Sequence, residues 1–100
     1  TLVLWMGEFG RTPTVNGSEG RDHFTRAWSV ALSGGGVAGA RVVGETDEQG
    51  MAIRSRPVSV PDLFATVYSC FGVDPRKEFT TQGGRPIKIL EGGEAVKELF

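Results

Sequence analysis

The chain opens on an unbroken apolar run, Leu2-Val3-Leu4-Trp5-Met6, and charged and turn-forming residues crowd in directly after it. A run without alternation fits a strand covered on both faces. Gly7 and Gly10 bracket Glu8-Phe9, where a tight turn or a close ligand approach suits residues without a Cβ. Thr12-Pro13 ends regular structure, and Asn16-Gly17-Ser18 has turn chemistry, so residues 14 to 20 read as a plain loop. Arg26 to Leu32 reads as a second strand, and Arg41-Val42-Val43 as a short one after the glycines that follow. Glu45 to Gly50 is a polar turn with a return strand over Met51 to Arg56, which predicts a small β-hairpin beside the polar stretch.

The clearest periodic segment begins at Ser59. Ser59 and Asp62 stand three apart, as in a capping box, and Pro61 falls in the first turn, where its missing N–H costs nothing. Val60, Leu63, Phe64, Val67, Tyr68 and Phe71 follow at i, i+3, i+4, i+7, i+8 and i+11, one apolar face of an amphipathic helix. Gly72 is placed to stop it. Asp74-Pro75 opens a loop, Arg76 to Phe79 reads as a helical turn, and Pro86 to Leu90 as a last strand. Gly92-Gly93 and a short tail from Val96 to Phe100 close the chain.

One hundred residues at 39% apolar content make one domain at most, with a modest core. A formal net charge of -1 supplies no basic excess for nucleic acid. No apolar run approaches the ~20 residues that span a membrane. The one cysteine, Cys70, rules out an internal disulfide and a cysteine-rich zinc site, and its place in the helical pattern makes it a small core residue. Gly34-Gly35-Gly36 with Gly39 tempts a phosphate-loop reading, but no Gly-Lys-Ser/Thr follows, so a flexible connection is expected. Thr1 stands directly in a strand-like run. The expectation is a C-terminal part of one α/β domain over residues 1–100, with the N-terminal remainder supplying neighbouring strands.

Candidate chemistry concentrates between Gly7 and His23. The only histidine, His23, shares that stretch with Glu8, Arg11, Arg21 and Asp22, at the exit of a strand, where ligands bind in open α/β sheets. Carboxylate and imidazole suit Zn²⁺, Mn²⁺ or Mg²⁺, and an aspartate beside a histidine can orient the imidazole. Residue types alone leave two readings open: part of a metal site, or a loop in which Asp22-His23 hydrogen-bond locally while Glu8 partners Arg11 or Arg21. No serine or cysteine sits beside His23, so a self-contained hydrolytic triad is not expected.

Gly7-Glu8-Phe9-Gly10-Arg11-Thr12-Pro13, Asn16-Gly17, Gly20-Arg21-Asp22-His23 and Ala27-Trp28-Ser29-Val30 to Gly34-Gly35-Gly36-Val37 together closely resemble a bacterial family abundant in planctomycetes, domain of unknown function 1501. Gly44-Glu45-Thr46-Asp47, the stretch from Pro57 to Thr66 and Gly83-Gly84-Arg85-Pro86-Ile87 resemble it too, so the likeness covers essentially the whole chain. That family is similar to the alkaline phosphatase, sulfatase and phosphopentomutase superfamily, whose members hold two metals at the carboxyl edge of an α/β sheet.

The resemblance implies an alkaline-phosphatase-like (sulfatase-like) α/β sheet flanked by helices, of which this chain is a C-terminal part. Asp22-His23-Phe24-Thr25-Arg26 resembles the Asp-His-Thr-Arg-Glu context of a phosphopentomutase ligand histidine, which implies His23 as a metal ligand. Glu8 then takes the place of a ligand aspartate, with Asp22 as a supporting or additional ligand. Asp62-Leu63-Phe64-Ala65-Thr66 resembles the sulfatase helix downstream of the metal loop. Phe9 departs from the pattern, standing where a paired histidine is expected. The implied function is metal-dependent hydrolysis of a small-molecule phosphate or sulfate ester, with a divalent cofactor (Zn, Mn, Mg or Ca), Arg11 and Arg21 on the oxyanion, and a nucleophile outside these residues. No nucleic acid or membrane is expected as a partner. The alternative is a degenerate member that binds a ligand or partner without catalysis. Periplasmic export is a further implication of the family. The hundred residues alone are expected to be inactive and, with open strand edges, prone to association.

Overall fold

Eight short strands pair two by two, every pair antiparallel, and the chain further forms one α-helix and one 3-10 turn in a computed structural model that describes residues 1–100. The chain divides into two units. The first comprises Thr1–Gly34 with Val42–Pro57, and the second Gly35–Arg41 with Val58–Phe100.

In the first unit β1 (Leu2–Trp5), β2 (Gly10–Arg11), β3 (His23–Phe24), β4 (Ala31–Gly34), β5 (Glu45–Thr46) and β6 (Ile53–Ser55) form three ribbons, β1–β4, β2–β3 and β5–β6. The apolar run is a strand as expected, but it is not covered on both faces: Val3 is 57% and Trp5 80% exposed. Its partner is β4, in register from Leu2↔Gly34 to Trp5↔Ala31, and a two-stranded ribbon brings no second layer of its own. That register also corrects the expected second strand. Four residues of β1 leave nothing for Arg26 to Val30 to pair with, so the strand starts at Ala31 and runs on to Gly34. Arg41 to Val43 is not a strand, and Val42 is 93% exposed. The hairpin forms one step later, Glu45↔Ser55 and Thr46↔Ile53, around a bulge. Phe24 and Ala27 are the buried apolar residues of this unit.

In the second unit the capping signals of α1 (Val60–Cys70) are realised in full. Ser59 Oγ accepts from Asp62 N–H, Asp62 Oδ2 accepts from Ser59 N–H at 2.8 Å, and Pro61 lies in the first turn. The C-terminus is a Schellman turn, with Val73 N–H on Tyr68 O at 2.9 Å and Gly72 N–H on Ser69 O at 3.0 Å. Gly72 has φ +66°, the left-handed position that glycine fills without strain. The buried face differs from the apolar stripe read in the sequence. Leu63, Ala65 and Thr66 are buried, while Val60, Phe64 and Phe71 are exposed. The tail decides this, because Glu94 N–H donates to Asp62 Oδ1 and Val96 N–H to Thr66 Oγ1.

Residues 76 to 79 are not a helical turn. Asp74 accepts from the backbone and guanidinium of Arg76, Lys77 N–H closes the turn on Asp74 O, and β7 (Glu78–Thr80) then pairs with β8 (Pro86–Lys88). The last strand is thus present, and Lys97–Leu99 forms the 3-10 turn. The fold class is mixed α/β, one helix with short antiparallel ribbons. No helix is long and apolar enough to cross a membrane.

Candidate functional site

The Gly7–His23 stretch folds back on itself because Gly10 lets two backbones come unusually close. A Cβ at Gly10 would run into the Ala27 carbonyl and lie 2.9 Å from Phe24 O. The two-residue ribbon β2–β3 follows, pairing Gly10 with Phe24 and Arg11 with His23. Thr12 N–H then donates to Asp22 O at 3.0 Å. A bond at that step makes Arg11–His23 a non-hydrogen-bonded pair, the site where opposite side chains approach closest, with Cβ atoms roughly 4.5–5.5 Å apart. Both residues are exposed. Phe9, two residues before Arg11, reaches the same face and sets its ring 4.5 Å from the His23 imidazole at 54°.

The loop between the strands is held from within. Asn16 Oδ1 accepts from Ser18 N–H at 2.9 Å and Gly20 N–H at 3.0 Å, and Asn16 N–H donates to Gly20 O at 2.8 Å. Asn16 Nδ2 donates to Asp22 Oδ1 at 2.9 Å, and Thr12 Oγ1 accepts from Asp22 N–H at 3.1 Å. Arg21 Nη1 donates to the carbonyls of Thr12, at 2.7 Å, and Pro13. Arg11 Nη1 donates to Arg21 O at 3.3 Å. The β5–β6 turn does lie beside the stretch, since a Cβ on Gly50 would sit 3.3 Å from Pro13 Cγ.

Successive residues of a strand point to opposite faces. Asp22 therefore falls on the face away from His23, where Asn16 holds its carboxylate. Glu8 is exposed in the bend before β2. No group of three or more His, Cys, Asp and Glu side chains able to hold a metal gathers anywhere in the chain. Glu8, Asp22 and His23 thus do not by themselves compose a metal centre. The structure instead brings Phe9, Arg11 and His23 together, and gives Arg21 and Asp22 to the loop.

Asn16, plain turn chemistry in the sequence, holds a central place in this loop that the pattern alone does not show. The available signal was an Asn four residues before Gly20 and six before Asp22, since Asn side chains bind backbone donors just downstream.

The fold and stretch define a mixed α/β protein whose polar loop presents an arginine and a histidine side by side. The chain belongs to the family described as Protein of unknown function (DUF1501), whose model matches residues 1–100. No curated protein and no solved structure matches it.

Proposed function

We propose that the Gly7–His23 stretch is one wall of a site that hydrolyses phosphate or sulfate esters, within an alkaline-phosphatase-like (sulfatase-like) α/β domain. The observation that supports this reading best is the exposed cross-strand pair Arg11–His23. A guanidinium matches a tetrahedral oxyanion with two parallel N–H donors, and only one of Arg11's donors is turned to Arg21 O. Arg21, fixed on two carbonyls, shapes the loop and adds positive charge. Glu8, Asp22 and His23 are the donors this reading offers to a divalent ion (Zn, Mn, Mg or Ca). Such an ion, when bound, polarises an ester oxygen and stabilises charge on the leaving group. The three are not gathered, so the reading requires further donors, and a nucleophile, from the N-terminal remainder of the same domain.

The test is turnover of aryl phosphates and aryl sulfates by the protein carrying these residues, with metal content measured alongside. Arg11→Gln is expected to lower kcat/KM by about tenfold or more, the worth of one charged hydrogen bond. Unchanged turnover in Arg11→Gln and His23→Ala would remove the stretch from the site.

The Phe9–His23 ring contact favours a second reading, a member that binds such esters without hydrolysing them. An aromatic ring against the imidazole occupies the place where the resemblance leads one to expect a second ligand. Binding of an aryl phosphate with no turnover, in metal-replete protein, distinguishes it.

A further inference from the structure

We propose that Arg11 and His23 form a two-sided clamp for the oxyanion of a phosphate or sulfate ester, walled by Phe9, and that the clamp works without a divalent ion. The inference rests on the ester reading for the kind of ligand. It departs from that reading over His23, whose imidazole serves the anion as an N–H donor instead of serving a metal with its lone pair.

Three observations carry it. Arg11 and His23 stand directly opposite at a close-approach position of β2–β3, so one tetrahedral group can meet a guanidinium and an imidazole together. The face they share is positive and free of neighbouring carboxylate from these strands, because the pleat sends Asp22 to the other side, where Asn16 Nδ2 holds Oδ1 at 2.9 Å. The same separation is what keeps Asp22 and His23 from acting as a ligand pair. Finally, the imidazole is braced: the Phe9 ring lies 4.5 Å from it, next to Gly10, where the strand backbones approach so closely that there is no room for a Cβ. A braced donor loses less freedom on binding than a free one.

The chemistry asked of the pair is modest. Arg11 offers a parallel fork of N–H groups, and an imidazole N–H donates in either protonation state. The Phe9 ring lies against one side of the imidazole, while Arg11 and His23 both stay exposed to an incoming anion.

The experiment titrates inorganic phosphate, and separately inorganic sulfate, into the protein with excess chelator present, following the backbone amides of residues 9–12 and 22–24 by NMR. The expected result is saturable binding without metal, weakened about tenfold in Arg11→Gln and in His23→Leu. His23→Gln, which restores an N–H donor, is expected to recover part of the loss, and Phe9→Leu to weaken binding while leaving the fold intact. Folding of each variant is checked by its far-UV spectrum, and His23→Gln keeps the question open to decision should His23→Leu not fold. Phosphate binding that is indifferent to both His23 substitutions overturns the clamp. So does binding that appears only with a divalent ion. A parallel titration with Zn²⁺ alone separates the two claims: Zn²⁺ binding lost in His23→Leu, with phosphate binding unaffected, overturns the clamp and leaves the metal reading standing. Absence of phosphate, sulfate and aryl-ester binding in the folded protein overturns both.

Discussion

The backbone N–H of Val96 donates to Thr66 Oγ1 at 2.9 Å, while the same hydroxyl donates to Asp62 O at 2.7 Å. Thr66 is 0% and Val96 2% exposed. One turn earlier on α1, Asp62 Oδ1 accepts Glu94 N–H at 2.8 Å. Four residues of helix rise ~6 Å, and two residues of extended chain advance ~6.7 Å. Side chains at i and i+4 therefore meet alternate N–H groups of an extended segment, which is how this tail is held.

Thr66→Val keeps the shape and deletes the acceptor, leaving the buried Val96 N–H without a partner at a cost of about 1–3 kcal/mol. Thr66→Ser keeps the hydroxyl and loses only a methyl, ~1 kcal/mol. Urea unfolding reads the stability, and amide exchange separates the causes. The Val96 amide is expected to exchange fast in Thr66→Val and to stay protected in Thr66→Ser. Equal protection in both would show that the bond does not hold the tail.

Gly10→Ala places a Cβ against the Ala27 carbonyl, 2.9 Å from Phe24 O and 3.0 Å from Trp28 Cβ. Two of those neighbours are backbone, which cannot swing aside, so β2 must move away from β3. The expected cost is about 1–3 kcal/mol, as for other overpacked positions. The sharper readout is local. Contacts between the Phe9 and His23 rings, observable as cross-peaks in NMR, should disappear along with the Arg11–His23 pairing, while the α1 signals stay where they were.

Asn16 binds two backbone donors through its oxygen and Asp22 through its nitrogen, so two substitutions divide its roles. Asn16→Ala loses all three bonds, and the Ser18 and Gly20 amides are expected to exchange faster by about tenfold, equivalent to roughly 1–1.5 kcal/mol of local opening. Asn16→Asp keeps the acceptor, so those two amides stay protected, but it sets a carboxylate beside Asp22 and should release that side chain. Protection lost equally in both variants would mean that the oxygen is not what closes the loop.

Features decided within a few residues were legible in the chain itself. The Ser59–Asp62 capping box, Pro61 in the first turn and Gly72 at the stop place α1 correctly, because each acts on backbone groups one turn away. The side of α1 that packs was not legible. Thr66 and Asp62 are buried or half-buried there because a segment thirty residues on presents its N–H groups to them, and backbone donors leave no mark in a hydrophobic pattern. The exposed Phe64 and Phe71 are the converse error, apolar residues taken for the packing face by periodicity alone. Leu2 to Met6 shows the same limit for a strand. An apolar run says what side chains tolerate, and only its pairing with β4 says what covers them.

The candidate stretch follows this division. Residue types single out Glu8, Arg11, Arg21, Asp22 and His23 as its candidates. They do not say which of these share a face; the register Arg11↔His23 pairs His23, and not the adjacent Asp22, with the arginine. A shift of one residue would reverse the assignment.

The Asp74–Arg76 pair supplies a test by pH. Asp74 Oδ1 accepts from Arg76 N–H at 2.9 Å and Nε–H at 3.0 Å, and Oδ2 accepts from Nη2 at 3.1 Å. The guanidinium hydrogen bonds, then the backbone bond, hold the Asp74 carboxyl below the usual carboxylate range, and the same contact raises Arg76. A carboxyl depressed in the folded state contributes its stabilisation above the unfolded value and loses it as pH falls through the folded value. Both side chains are largely exposed, at 53% for Asp74 and 88% for Arg76, so the effect on global stability is small and the local titration is the quantity to follow. An NMR titration is expected to show Asp74 protonating below the usual carboxylate range. Arg76→Gln should move it back toward the ordinary range while part of the shift survives, because the backbone N–H of residue 76 still donates. Added salt should trim the Coulombic part and leave the hydrogen-bonded part. An Asp74 that titrates in the ordinary carboxylate range in the wild-type protein would mean the pair is open in solution, and the turn that feeds β7 would then rest on Lys77 N–H to Asp74 O alone.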